Sequence, residues 1–309
     1  MLEEQYLMLV KEETEYGTDP TPTPAANAIL VSKPSFKEVA ALAERAGAGG
    51  SLSPLAAKLG SISTELTFQT ELKGSGSAGT APRIGDLFEA CGALETVSAG
   101  SSVTYSPASA SFKSVTIYLY KATRLHKITG ARGNAKLVMG ANKQPMVEFS
   151  MKGLYTAPTT VTFPTTQDFE DTVAPVCKGE TITLNGVGTL AIENTELDFG
   201  NNVALLPSKI AATGIGTCEI TGRKPKLSVN PESVAIATLD IRALMLTTPV
   251  AYSEAIGATA GNIITVSVPK FNIEAPEYGE REGKTIETLK GSCCRSADAG
   301  NDEWRVTFS

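Results

Sequence analysis

A strand-rich unit that occurs twice constrains this chain more than any other feature. The first copy runs from a strand (Glu65–Leu72) through a glycine linker to a short helix (Pro82–Cys91). A strand (Ser114–Tyr120) and a hairpin ending in Val147–Gly153 follow. The second runs from a strand (Lys226–Glu232) to a short helix (Ile236–Leu246), a strand (Ile263–Val268) and a hairpin ending in Thr285–Gly291. Both hairpins close on a Lys-Gly pair, Lys152-Gly153 and Lys290-Gly291. Two β units in one chain can stand in for two subunits of a ring; the alternative is one large β-sandwich whose halves look alike because all antiparallel sheets do.

The strands are read from their alternation. In ELTFQTEL, Leu66, Phe68 and Leu72 face one way and Thr67, Gln69 and Glu71 the other, as in a half-buried antiparallel strand. SVTIYLY is apolar on both faces over part of its length, which places it centrally. Val147, Phe149 and Met151 point inward, with Glu148, Ser150 and Lys152 outward. PRIGDLFEAC opens on Pro and is followed by Gly92, the usual asymmetry of a helix. The stretch Lys37–Ser61 reads as a long excursion from the sheet, partly helical because KEVAALAERA favours helix.

These elements divide the chain into four parts. Residues 1–26 are an extended amino-terminal arm, since three prolines in YGTDPTPTPAA cannot sit inside a helix or a central strand. Residues 27–155 form a first β domain. Residues 156–180, starting with TAPTTVTFPTT, are a linker. Residues 181–309 form a second β domain with a terminal strand or arm.

Little in the sequence points to chemistry. GSGSAG at Gly74–Gly79 matches a dinucleotide fingerprint between a strand and a helix. The strand before it has a polar face, whereas the first strand of a doubly wound fold is buried on both sides. A flexible connection is the better reading. His126 is the only histidine, lies in an alternating strand and has no nucleophile elbow nearby. The carboxylates Asp168, Glu170 and Asp171, and Glu277, Glu280 and Glu282, lack calcium-loop spacing. The five cysteines include no Cys-x-x-Cys, so buried free thiols are expected rather than zinc. No cofactor is implied. The amino terminus is too acidic for a signal peptide, and no apolar run approaches a membrane span, so no membrane insertion is expected. A net charge of -6 argues against a protein that grips nucleic-acid phosphates.

Several segments together resemble the tail tube (major tail) protein of long, non-contractile-tailed bacteriophages, in the version of Mu-like phages with flexible tails. They are YGTDPTPTPAANAILV (Tyr16–Val31), ELKGSGSAGTAPRIGDLFEACG (Glu71–Gly92), SVTYSP (Ser102–Pro107), SFKSVTIYLY (Ser111–Tyr120), ITGARGNAKLVM (Ile128–Met139) and VEFSMKGLYTAPT (Val147–Thr159). The second half matches in layout rather than in words.

The resemblance implies a mainly β fold of two antiparallel sandwich or barrel units, each flanked by one short α-helix, with extended arms and loops. It implies a structural virion protein without enzymatic activity. Rings would stack into a hollow tube that DNA crosses during ejection, without sequence recognition. Tape-measure, tail terminator and distal tail proteins would be partners. The virion tail would be the location, after assembly in the host cytoplasm. Two units per chain imply trimeric, pseudo-hexameric rings. On this reading Glu148, Ser150, Lys152, Thr285 and Glu287 are candidates to face the lumen. Tyr16, Pro20, Pro22, Pro24, Glu44 and Arg45 are candidates for contacts between rings, and removal of the arm is expected to leave the core folded. A β-sandwich adhesin or receptor-binding module is the alternative, and a carboxylate-based hydrolase a more distant one.

Overall fold

The computed structural model describes residues 6–47, 53–247 and 249–309. Its first half contains β1 (Tyr6–Glu12), α1 (Pro24–Asn27), β2 (Ala28–Ile29), β3 (Ser32–Ala43), β4 (Lys58–Glu71), α2 (Gly85–Ala90), β5 (Ala93–Ser98), β6 (Ser102–Pro107), β7 (Val115–Lys121), β8 (Arg124–Gly140), β9 (Met146–Tyr155) and β10 (Thr159–Thr160). The second contains β11 (Thr181–Leu184), β12 (Ile192–Asp198), β13 (Asn201–Pro207), β14 (Ile215–Arg223), β15 (Lys226–Pro231), α3 (Ile241–Thr247), β16 (Val250–Ile256), β17 (Ile264–Ile273), β18 (Glu277–Arg281), β19 (Lys284–Cys293) and β20 (Arg305–Phe308). The fold is mainly β, antiparallel throughout, with few short helices.

Pairing fixes the order of strands. In the first half neighbours run β1, β7, β8, β9, β4, β3. In the second they run β11, β16, β17, β19, β15, β12. The far end of β8 also pairs with β12, from Asn194 opposite Gly140 to Asp198 opposite Lys136. The carboxy-terminal β20 lies between β17 and β6 and so ties the halves together.

One core runs through both halves. Phe88 of α2 is fully buried against Tyr105, Phe149, Phe199 and Phe308. Trp304 stacks on Phe199 at 3.8 Å. The strand β7 is central, paired with β1 and β8, and is buried on both faces. One face joins the main core; the other, through Tyr118 and Tyr120, joins a small cluster with Leu7, Leu9 and Leu125. Val161 and Phe163 of the expected linker pack on that cluster, so the linker is tied down.

The helices are shorter than the sequence suggests. The segment before α2 is a turn, and the helix ends at Gly92, whose φ of +78° suits a left-handed cap. In the second half Asp240 accepts a hydrogen bond from the Ala243 amide at 2.9 Å, so α3 starts at Ile241 rather than at Ile236.

Two segments differ in kind from the expectation. Residues of KEVAALAERA lie in β3, not in a helix, because β4 pairs with them from Ser32 to Ala43. Long-range pairing overrides local propensity here. The amino-terminal segment is no free arm either. Leu7, Met8, Leu9 and Val10 are buried in β1, and Pro22 is buried as well.

Candidate functional site: a polar sheet face with two open edges

Eight strands follow one another without a break: β3, β4, β9, β8, β12, β15, β19 and β18. Among the described residues, β3 pairs only with β4 and β18 only with β19. The row therefore has two open edges.

One face of the row covers the core, and period-two alternation puts polar side chains on the other. Across β4 and β9, Gln69 lies opposite Glu148, Thr67 opposite Ser150 and Glu65 opposite Lys152. Gln69 Nε2 donates to Glu148 Oε1 at 2.6 Å, and Lys152 Nζ lies 3.8 Å from Glu65. Across β8 and β12, Asn134 Nδ2 donates to Asp198 at 2.7 Å, and Lys136 meets Glu196 at 2.9 Å. That pairing raises the Lys136 pKa and lowers the Glu196 pKa. A shallow hollow of about 420 Å³ lies on this face among Lys33, Gln69, Lys136, Glu148 and Asp198. Charges of both signs are interleaved, so the face offers no block of cations to phosphate.

Glu148, Ser150 and Lys152 are all on this polar face. Thr285 and Glu287 are not. Leu289 and Glu287 alternate onto the core side of β19, where Glu287 is 5% exposed and meets Ser233 and Arg242. Their neighbours Thr288 and Lys290 take the polar side, with Lys290 opposite Ser228.

The other candidates are scattered. Tyr16 is stapled inside the chain: its hydroxyl accepts from the Cys218 amide at 2.6 Å and donates to the Gly130 carbonyl at 3.2 Å. Arg132 lies over its ring at 4.9 Å, and burial pushes the phenol up to about 12. The Pro20 carbonyl accepts from Lys11 at 2.9 Å, and Pro24 opens α1. Tyr16, Pro20, Pro22 and Pro24 thus lie against their own chain. Glu44 and Arg45 are exposed beyond the end of β3.

That hairpin is a feature the sequence reading missed. The outer parts of β3 and β4 are exposed, and Val39, Leu42 and Leu59 show 43%, 64% and 59% of their surfaces. A second hairpin, β13 with β14, leaves the row after Asp198. It does pack: Cys218 is fully buried, and Arg132 donates to the carbonyl of Cys218 at 2.8 Å and to that of Phe112 at 2.7 Å.

The chemical candidates carry no reactive arrangement. Gly74 donates to Asn262 Oδ1 at 2.9 Å and Gly76 to the Gly261 carbonyl at 3.1 Å. A Cβ at Gly74 would lie 2.1 Å from the Gly261 oxygen. The glycines serve close backbone packing, which leaves no cradle for a dinucleotide. His126 sits on Phe36 at 4.5 Å, and burial lowers its pKa. Cys293 and Cys294 are free thiols, and Cys293 is buried. Among the described residues no cluster of His, Cys, Asp and Glu is arranged to hold a metal ion, and no helix is long and apolar enough to cross a membrane.

A sheet with interleaved charges and two unpaired edges suits a wall more than a pocket. Comparison with known families decides the matter: the Phage tail tube protein family matches residues 4–292. The chain belongs to that family. No curated protein matches it. It is therefore a structural protein of the phage tail tube, not an enzyme, and its place is the virion tail. Tube proteins self-assemble, and family membership favours the tube over the adhesin and hydrolase alternatives.

Proposed function

We propose that three copies of this chain close into one ring of the tube, each contributing two tube units, and that the polar face lines the lumen. The matching strand orders of the two halves carry this reading. Each begins with its first strand beside its fourth and ends with its third beside its second, with a short helix between third and fourth. Irregularities of the same kind recur in the same strand pairs, the first displaced by one residue. The ladder shifts between Ser32 and Ser35 in one half and between Ile192 and Thr195 in the other. It shifts again between Val115 and Ile117, and between Val250 and Tyr252.

The lumen would be lined by Glu148, Ser150, Lys152, Gln69, Lys136 and Lys290. Opposed charges held in pairs let DNA slide past without the salt-dependent grip of a basic groove. Thr285 and Glu287 fall on the wrong face for that role. The contact between rings remains with the exposed end of the β3–β4 hairpin, including Glu44 and Arg45, rather than with Tyr16 and the prolines. Tape-measure, tail terminator and distal tail proteins are the partners proposed, in a flexible tail of the Mu-like type that assembles in the host cytoplasm.

The test is the mass of the smallest ring, measured beside negative-stain electron microscopy. Three chains per ring support the reading. Six chains keep the tube and remove the two-unit assignment.

A further inference from the structure

We propose that successive chains in the ring are joined edge to edge, with the open edge of β18 pairing antiparallel to the open edge of β3 from a second copy, and Lys37 opposite Glu277. The proposal rests on the two-unit reading and adds to it a specific junction.

The chain already contains one such seam. Where the first half meets the second, β8 pairs with β12. By the matching strand orders β12 corresponds to β3, because each pairs with the third strand of its half. The far end of β8 corresponds to β18, because each forms a hairpin with the last strand. The internal seam thus uses the counterparts of the two edges that stand open at the ends of the row. A copy joined in the same way repeats the seam and leaves no edge exposed.

The register follows from sequence. Glu65-Leu66-Thr67-Phe68-Gln69 and Lys226-Leu227-Ser228-Val229-Asn230 match position by position as the third strands. Leu66 lies between Phe36 and Met151, and Leu227 between Leu197 and Gly291. Phe36 therefore corresponds to Leu197, and Met151 to Gly291. Counting along the last strand, Glu148 corresponds to Thr288, and their partners Lys136 and Glu277 correspond in turn. In the internal seam Asp198 lies opposite Lys136 and Leu197 opposite Leu137. The transferred pairs are Lys37 with Glu277, and Phe36 with Tyr278.

Two observations favour a copy of this chain as the occupant. At this one position the charges are exchanged between the strands yet stay complementary: Asp198 opposite Lys136 inside, Lys37 opposite Glu277 outside. Opposite charges directly across a ladder stabilise it, and like charges oppose it. Tyr278 is 66% exposed, although its counterpart Leu137 is fully buried by β12. A neighbouring Phe36 supplies the missing cover. The hairpins agree as well. The β13–β14 hairpin leaves the internal seam and packs across the first half. The outer β3–β4 hairpin leaves the corresponding edge with Val39, Leu42 and Leu59 exposed, and a neighbour's second half would receive it.

The test uses the full chain. Lys37→Cys chains are mixed with Glu277→Cys chains under mild oxidation, with each single variant alone as the control for native thiols. Residues opposite one another in a ladder are close enough for a disulfide. The expected result is a dimer in the mixture alone, on a non-reducing gel. In parallel, Lys37→Glu should abolish rings, and Lys37→Glu with Glu277→Lys should restore them. Rings that survive Lys37→Glu unchanged, with no cross-link in the mixture, overturn the junction and leave the tube reading standing. Wild-type chain that forms no ring or tube at any concentration overturns the tube reading and the junction together.

Discussion

The outer end of the β3–β4 hairpin and the β13–β14 hairpin each lie between the second and third strands of their half but have opposite surroundings. The second is packed on its own chain through Cys218, Ile220 and the Arg132 guanidinium. The first stands out from the chain with apolar side chains exposed. The same device is thus satisfied within the chain in one half and left unsatisfied in the other. Isolated exposed leucines need no explanation, but a run of them along one hairpin marks a contact surface. The difference separates what holds a chain together from what holds chains to each other.

The largest expected effect lies at the root of the packed hairpin. Trp304→Ala removes the indole stacked on Phe199 and should cost about 3–5 kcal/mol, the range for emptying a large aromatic site. Chemical denaturation measures it, and a loss below about 1 kcal/mol would show that the root is not held by this stack.

Next comes the staple. Arg132→Met keeps much of the stem but leaves the carbonyls of Phe112, Lys113 and Cys218 without their donor. The expected loss is about 2–4 kcal/mol, because hydrogen bonds from a charged donor are lost and buried acceptors are left bare. Hydrogen exchange should show faster opening of β13 and β14 than of β8.

The stability of the folded chain responds to pH. Burial raises the pKa of Glu254, which accepts from the Tyr252 hydroxyl next to Thr195 of β12. Burial also pushes Glu89 up to about 7, with Glu12 adding to the shift. A carboxyl whose folded pKa is raised contributes stability that is complete below its unfolded value and lost as pH rises through the folded one. The unfolding midpoint should therefore fall between about pH 5 and about pH 8. Glu254→Gln should flatten that fall, and an unchanged slope would remove Glu254 from its cause.

The smallest effect on the folded chain is expected in the exposed hairpin. Val39→Ser with Leu42→Ser should leave monomer stability within about 0.5 kcal/mol, as for surface positions, while ring yield drops sharply. A large loss of monomer stability would mean that the hairpin already packs on its own chain.

Alternation in ELTFQTEL and VEFSMKGL was enough to assign β4 and β9 and their polar sides, since side-chain direction in a strand has a period of two. It did not place Glu287, which follows the same pattern but is buried by α3 and Arg242 rather than exposed. KEVAALAERA misled because its helix propensity is local while its partner, Lys58–Glu71, is distant in sequence. The prolines of the amino-terminal segment excluded a long helix but not the single turn α1 that Pro24 opens, and they said nothing of β1, whose burial depends on β7 more than a hundred positions away.

The sequence by itself determined the class of the fold, the presence though not the bounds of α2 and α3, and the free cysteines. These follow from periodicity, caps and composition, which act over a few residues. Only the tertiary structure decided which strands adjoin, where the row of eight ends, and which of the two long hairpins is left uncovered. Strand order is set by which distant apolar faces close on one core, and no local pattern carries that information.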